Sequence, residues 1–112
     1  MKKFTDYQFN DFVRETINEL KFETPTKIQK EIIPLVYKRR DVIGISQTGT
    51  GKTHAFLLPI MDMIDVEMDC VQAVITAPTR ELAVQIHENA KMFAKYNKDL
   101  KGCFMQHCSF FV

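Results

Sequence analysis

Apolar residues recur at helical spacing in four stretches of this chain. The first runs over residues 9–20, where apolar positions follow one another every three or four residues and predict an amphipathic helix. A second stretch follows Thr24 and Pro25, which suit an N-cap and a first helical position, and Pro34 is expected to kink it or restart it. The other two helices carry these apolar residues: Phe56, Leu57 and Ile60, then Leu82, Ile86, Ala90 and Phe93.

Two short apolar runs lie between these helical stretches. Residues 42–45 precede the third stretch, and residues 71–77 precede the fourth. Runs of this length between polar turns are typical of buried strands in a parallel sheet. Strands that alternate with helices predict an α/β fold, in which helices flank a parallel sheet and the crossovers are right-handed. The polar residues 65–69 are expected to form a loop.

Length, charge and cysteine content narrow the class of protein. A length of 112 residues suits one small domain, and a net charge of +1 provides no overall basic field for a nucleic acid. Any site for a polyanion must therefore be local. No apolar run is long enough to cross a membrane, and the polar N-terminus does not resemble a signal peptide. The odd number of cysteines (Cys70, Cys103 and Cys108) indicates reduced thiols and a cytoplasmic location.

The stretch SQTGTGKT matches the phosphate-binding P-loop pattern except at its first position, where Ser46 replaces glycine. Gly49 and Gly51 allow backbone N–H groups to turn inward around anionic oxygens. Lys52 brings a positive charge to the β- and γ-phosphates, and the hydroxyl of Thr53 can bind Mg²⁺. The preceding apolar run and the following helix place phosphate at a helix N-terminus. The alternative is a turn rich in glycine and threonine with a solvated lysine.

Two further groups of residues have the chemistry of a nucleotide and a nucleic-acid site. The amide of Gln29 can donate and accept at once, which matches the N6/N7 edge of adenine, and Phe22 offers a stacking surface. Residues 78–80 open the fourth helix, where backbone N–H groups and Arg80 can contact a phosphodiester backbone. Alone, Gln29 would be read as a solvent-facing helix residue and Arg80 as part of a surface ion pair. Because both residues accompany a P-loop in this chain, their interpretation as nucleotide-binding and nucleic-acid-binding residues is favoured.

Together these motifs resemble those of the DEAD-box RNA helicases over about residues 4–100. FETPTKIQ resembles their Q motif, SQTGTGKT their motif I and PTREL their motif Ia. Phe4 takes the place of the family's isolated upstream aromatic residue, and Lys21 departs from a usual glycine. The resemblance implies an incomplete RecA-like P-loop domain, ATP and Mg²⁺ as cofactors, and RNA as a partner.

The resemblance also implies a role for each candidate residue. Lys52 and Thr53 would be catalytic, and Thr53 would also hold the metal. Pro78, Thr79 and Arg80 would contact the RNA backbone. The residues that would contact the adenine nucleotide are Phe22, Thr24, Gln29, Ser46, Gln47, Thr48, Gly49, Thr50, Gly51, Lys52 and Thr53.

The expected organisation has three parts: a Q-motif helical region over residues 1–40, a partial RecA-like domain over 41–101, and an atypical tail over 102–112. The tail resembles a frame-shifted sequence or, alternatively, a divergent third strand cut short. Its Cys103, His107 and Cys108 are too few for a structural zinc site, which needs four ligands.

The chain has no Asp-Glu-Ala-Asp sequence, no Ser-Ala-Thr sequence and no second RecA-like domain, the parts that complete phosphoryl transfer in the family. The sequence therefore predicts an N-terminal helicase fragment that is inactive alone and needs the rest of the helicase core. One alternative is a non-catalytic fragment that binds nucleotide or RNA. Another P-loop NTPase is disfavoured, because such an enzyme needs neither Gln29 with Phe22 nor residues 78–82. No membrane association or oligomer is expected.

Overall fold

A computed structural model describes residues 2–100 of the chain. Over that range it contains four α-helices: α1 (Asp11–Glu19), α2 (Lys27–Tyr37), α3 (Lys52–Met63) and α4 (Arg80–Ala94). The chain divides into two compact units, with the boundary between Ile64 and Asp65. No helix of the described part is long and apolar enough to cross a membrane. The expected tail over 102–112, with its candidate zinc ligands, lies outside the described residues.

Helices α1, α2 and α3 form the first unit through an apolar core. Helix α3 packs mainly against α2 and also touches α1. Burial of a side chain such as leucine or isoleucine contributes about 1.5–3 kcal/mol, so this core holds the helix after the P-loop firmly against the two helices before it. Among the fully buried core residues are Val13 in α1, Ile33 in α2, and Leu57, Leu58 and Met61 in α3.

A hydrogen-bonded cluster around Asp62 closes the first unit near the end of α3. Its carboxylate accepts a hydrogen bond from the backbone N–H of Asn10 at 2.7 Å and another from the hydroxyl of Tyr37 at 2.6 Å. The side-chain amide of Asn10 donates to the carbonyl of Asp62 at 3.0 Å. Burial raises the pKa of Tyr37, and the hydrogen bond and charge of Asp62 raise it further. Asp62 thus joins the start of α1 and the end of α2 to α3.

Helix α2 begins after Thr26, so the prediction of Thr24 as its N-cap is wrong. The hydroxyl of Thr26 accepts from the backbone N–H of Gln29 at 3.4 Å, and the Gln29 side-chain oxygen accepts from the backbone N–H of Thr26 at 2.9 Å. Such a capping box needs glutamine or glutamate three residues after the cap, a spacing that Thr24 lacks. The helix also continues past Pro34 rather than restarting there.

Two basic residues end α1 and α2 in the left-handed backbone region, Lys21 with φ 59° and Arg39 with φ 56°. After α1, the N–H of Phe22 donates to the carbonyl of Ile17 at 3.2 Å and that of Lys21 to Asn18 at 3.1 Å, the two bonds of a Schellman motif. Glycine adopts this conformation without steric cost. The backbone therefore explains why glycine is usual in the resembled family at the position of Lys21.

We expect Lys21→Gly and Arg39→Gly each to raise the free energy of unfolding by about 0.5–1 kcal/mol. Removal of the Cβ relieves the left-handed strain of the folded chain, and this gain exceeds the cost of the entropy that glycine adds to the unfolded chain. Urea denaturation followed by circular dichroism measures the gain. The matched control is Lys38→Gly, since Lys38 caps α2 with φ −79° and has no such strain. Lys38→Gly should destabilise, and an equal gain at all three positions would contradict this explanation.

The two predicted strands do not form a sheet within residues 2–100. Residues 42–45 and 71–77 form no strand, and most of their apolar side chains face solvent, with Ile43 91% and Val74 78% exposed. A strand is stabilised by backbone hydrogen bonds to a neighbouring strand, and within residues 2–100 neither run has such a partner. The apolar pattern thus identified segments with strand composition, but it did not supply a pairing partner.

In the second unit, α4 follows residues 65–79. The hydroxyl of Thr79 accepts a hydrogen bond from the backbone N–H of Leu82 at 3.2 Å, so Thr79 caps the helix. The predicted apolar face of α4 is confirmed, and the helix packs against the 3-10 turn Lys98–Leu100. Among residues 65–100 of this unit, the buried ones are Ile86, Ala90 and Phe93 in α4 and Leu100 in the turn.

Candidate functional site

The P-loop leads directly into α3, as the sequence predicted. Gly49 has φ 84° and Gly51 has φ 82°, both in the left-handed region that glycine adopts most readily. Gly51 is the N-cap of α3, and Lys52 and Thr53 are its first two residues. An anion in the loop would therefore meet the N-terminal end of α3, where backbone N–H groups have no partner within the helix.

Hydroxyl groups hold the loop in shape. Thr50 donates its only hydroxyl proton to the carbonyl of Gln47 at 2.6 Å. The hydroxyl of Ser46, also 2.6 Å from that of Thr50, must then be the donor in the second bond. Ser46, which stands where the P-loop pattern has glycine, thus bridges the two ends of the loop. The sequence pattern gave no indication of this contact.

The ammonium group of Lys52 lies over the same loop. Its Nζ donates to the carbonyl of Ser46 at 2.7 Å, and the side chain is exposed. An ammonium group has three donor positions, so two are left for anionic oxygens. Thr53 is half-buried one residue further on. Within residues 2–100, no cluster of His, Cys, Asp and Glu side chains is arranged to hold a metal ion.

Gln29 connects the segment before α2 to the P-loop. It is 3% exposed, and its side-chain N–H donates to the carbonyl of Gly51 at 3.2 Å while its oxygen accepts from Thr26. A glutamine amide has two N–H groups and two oxygen lone pairs. These bonds leave one donor and one acceptor position, the pair needed for the N6/N7 edge of adenine.

Phe22 lies between two other rings beside this loop. Its ring stacks on that of Phe4 with centroids 5.9 Å apart, and the ring of His54 meets it edge-on at 5.1 Å. Phe4 is buried, and its backbone N–H donates to the carbonyl of Glu23 at 3.0 Å. Phe22 itself is half-buried, and Thr24 is exposed. The structure therefore brings Phe22, Gln29 and the P-loop together in the first unit.

His54 was not identified from the sequence. It is 9% exposed, and its Nε2 is buried without a hydrogen-bond partner among the described residues. A buried, unsatisfied polar atom costs about 1–3 kcal/mol. Burial also lowers the pKa of the imidazole, so it is neutral near pH 7. The sequence did contain a signal for it, because His54 is the one polar residue in the otherwise apolar stretch between Thr53 and Asp62.

We expect the stability of the chain to fall as the pH decreases below 6.5, the ordinary pKa of histidine. The unfolded chain binds a proton at His54 in that range, whereas the folded chain resists doing so because its pKa is lower. The contribution of neutral His54 to the free energy of unfolding is fully present above pH 6.5, and it is lost as the pH falls toward the pKa of His54 in the folded chain. Urea denaturation across this range should show a weaker dependence in His54→Phe. An unchanged slope in His54→Phe would assign the effect to other groups.

The third predicted set, Pro78, Thr79 and Arg80, lies in the second unit at the start of α4. All three are exposed. Because Thr79 caps the N–H of Leu82, the N–H groups of Arg80 and Glu81 are left at the helix end for an anion. The carboxylate of Glu81 in the same turn opposes an anion there, so Arg80 must supply most of the attraction.

Comparison with known proteins shows which family this chain resembles. A family profile described as DEAD/DEAH box helicase matches residues 26–108. The chain is 56% identical over 88 residues to the DEAD-box ATP-dependent RNA helicase CshB of Bacillus subtilis, covering 79% of this chain and 20% of that protein. It is 42% identical over 93 residues to the ATP-dependent RNA helicase DeaD of Haemophilus influenzae, covering 83% and 15% respectively. The chain spans only 15–20% of the length of these relatives.

Solved structures show the same relationship. Dbp5 of Saccharomyces cerevisiae, bound to RNA and ADP BeF3, matches with a TM-score of 0.80 and 36% identity, over 88% of this chain and 26% of that one. A DEAD box protein from the hyperthermophile Methanococcus jannaschii matches with a TM-score of 0.74 and 30% identity, over 81% and 25%. These likenesses confirm the predicted class, an incomplete RecA-like P-loop domain, although residues 2–100 contain no strand.

Proposed function

The chain belongs to the DEAD/DEAH box helicase family, and from this premise we propose that it binds an adenine nucleotide between Gln29 and the P-loop. The hydrogen bond from the Gln29 amide to the carbonyl of Gly51, at 3.2 Å, carries the proposal. It places a group able to read a base beside a loop able to hold phosphates, which a solvent-facing glutamine on α2 would not do.

Adenine is the base that suits this arrangement. The remaining N–H of Gln29 can donate to N7, and its remaining lone pair can accept from the N6 amino group. Guanine presents a carbonyl oxygen instead of the amino group, so the acceptor of Gln29 would meet another acceptor. The half-buried ring of Phe22 offers an apolar surface for the base. The exposed Thr24 is proposed to lie at the edge of the same site.

The phosphates are proposed to lie in the loop over Ser46–Thr53. The left-handed conformations of Gly49 and Gly51 favour inward N–H groups, and Lys52 would exchange its bond to the Ser46 carbonyl for phosphate oxygens. Mg²⁺, when bound, neutralises phosphate charge. In this chain Thr53 would contribute a single hydroxyl ligand, so the ion would depend mainly on phosphate oxygens and water.

RNA is proposed as the partner of Pro78, Thr79 and Arg80. The support is the exposed start of α4, together with the family relationship to Dbp5, which has been solved bound to RNA. A net charge of +1 and a single guanidinium at this helix start imply weak, salt-sensitive binding.

The activity proposed for the complete protein is ATP-dependent RNA unwinding, the activity for which its relatives are named. Lys52 and Thr53 would contribute to it by positioning the β- and γ-phosphates. The four-fifths of the relatives' length that this chain does not match would supply the remaining catalytic groups. A cytoplasmic location stays a prediction.

We expect the chain to bind fluorescently labelled ADP more tightly than labelled GDP, and Gln29→Ala to remove most of that preference. A two-point contact with a base contributes about 1–3 kcal/mol of discrimination, which corresponds to roughly 5- to 150-fold. Equilibrium titration of both nucleotides measures the ratio. Gln85→Ala, at an exposed position of α4, is the control and should keep it. Equal affinity of the unchanged chain for ADP and GDP would refute the adenine site.

A further inference from the structure

We propose that His54 is a positioning residue for the nucleotide, acting through its aromatic edge to fix the ring of Phe22 relative to the P-loop. The proposal rests on the nucleotide site proposed above and adds a residue that none of the Q-motif, motif I or motif Ia patterns contains. Its starting point is the edge-on contact between the two rings, with centroids 5.1 Å apart and planes at 84°.

Phe22 is restrained from two directions. Phe4 stacks on it with centroids 5.9 Å apart and an interplanar angle of 29°, while His54 meets it almost at a right angle. A stacked neighbour limits the tilt of a ring, and an edge-on neighbour limits its displacement. Because Phe22 is only half-buried, part of its surface is left for a base. The two neighbours thus determine where that surface lies.

His54 also connects this ring to the phosphate-binding residues. It directly follows Lys52 and Thr53 in the first turn of α3, so the helix backbone fixes its ring relative to theirs. The bond from Gln29 to the carbonyl of Gly51 forms a second connection to the same loop. Two connections hold the base-contacting groups at a set distance from the phosphate-binding groups, which a ligand of fixed length requires.

Simple core filling is the alternative role for His54, and the structure disfavours it. The Nε2 atom is buried and has no hydrogen-bond partner in the described part of the chain. A leucine at this position would fill similar space without an unsatisfied polar atom. Within residues 2–100, histidine therefore adds no stability that leucine would lack, and its Nε2 makes no hydrogen bond. The feature that leucine lacks is the flat ring whose edge contacts Phe22.

The test compares the unchanged 112-residue chain with His54→Leu and His54→Phe. Leucine preserves burial without a ring, and phenylalanine preserves the ring without the polar nitrogens. Calorimetric titrations use ADP and inorganic tripolyphosphate, which has phosphates but no base. We expect His54→Leu to weaken ADP binding about tenfold and leave tripolyphosphate binding unchanged. The affinity of His54→Phe for ADP should stay within about twofold of that of the unchanged chain, because a Phe–Phe pair is similar in strength to the His–Phe pair that it replaces.

Each other outcome has a defined meaning. Unchanged ADP affinity in His54→Leu, or equal loss of ADP and tripolyphosphate, would overturn the positioning role and leave the nucleotide site intact. Failure of the unchanged chain to bind ADP would overturn the nucleotide site itself, and this inference with it. Circular dichroism verifies the fold of each variant. If His54→Leu does not fold, weak ADP binding by a folded His54→Phe would still overturn the proposal.

Discussion

Lys52→Ala is expected to weaken binding of ADP and ATP by about 10- to 100-fold, since a hydrogen bond to a charged group contributes about 1.5–3 kcal/mol. The variant loses the ammonium that now lies over the loop, 2.7 Å from the Ser46 carbonyl. At roughly 100-fold excess over its Kd, nucleotide stabilises a folded chain by about 2.7 kcal/mol, and most of this protection should disappear. Titration and urea denaturation with nucleotide measure the two effects.

The design separates the loss of a ligand contact from the loss of fold. Lys52 is exposed, so without nucleotide Lys52→Ala should change the free energy of unfolding by no more than about 0.5 kcal/mol. Lys30→Ala, on the exposed side of α2, removes the same charge elsewhere and should bind nucleotide normally. Lys52→Arg keeps the charge but changes its geometry, and should give an intermediate affinity. Normal binding by Lys52→Ala would mean that phosphate does not lie in this loop.

Gly51→Ala is expected to lower the free energy of unfolding by about 2–5 kcal/mol and to abolish adenine preference. With φ 82°, the new residue is strained by about 1–2 kcal/mol in the left-handed region. Its Cβ would also clash with the side-chain nitrogen of Gln29 and would lie 3.5 Å from the hydroxyl of Thr26. Gln29 can move away only by giving up its buried hydrogen bonds, which adds about 1–3 kcal/mol. Urea denaturation and the ADP-to-GDP affinity ratio measure both effects.

Gly49→Ala is the matched control for this prediction. Gly49 has nearly the same backbone angle, φ 84°, but a Cβ at this position would meet no atom of the described chain within 4 Å. It should therefore show the strain alone, about 1–2 kcal/mol. In a Gln29→Ala background, the excess cost of Gly51→Ala over Gly49→Ala should disappear, because the displaced amide is absent. An excess that persists there would show that the contact with Gln29 is not its cause.

The family and the helices were predictable because their signals are local. The resemblance to DEAD-box helicases, made from three short motifs, is confirmed by the family profile over residues 26–108. Periodic apolar positions predicted α1 and α4, and the P-loop pattern predicted a helix after the loop, which in the structure begins at Lys52. The start of α2 was misplaced because Thr24 and Thr26 are both good caps. Only the side chain of Gln29, which bonds back to Thr26, distinguishes them.

The sequence by itself determined which residues have the chemistry proposed here for binding phosphate and reading a base, since glycine, lysine and amide groups bring that chemistry wherever they lie. Only the tertiary structure decided how they meet. Gln29 reaches Gly51 and His54 reaches Phe22 because packing of α2 against α3 brings distant segments together, and no local pattern encodes such contacts. The same reasoning applies to residues 42–45 and 71–77. Their composition favours strands, but a strand needs a partner, and within residues 2–100 neither run has one.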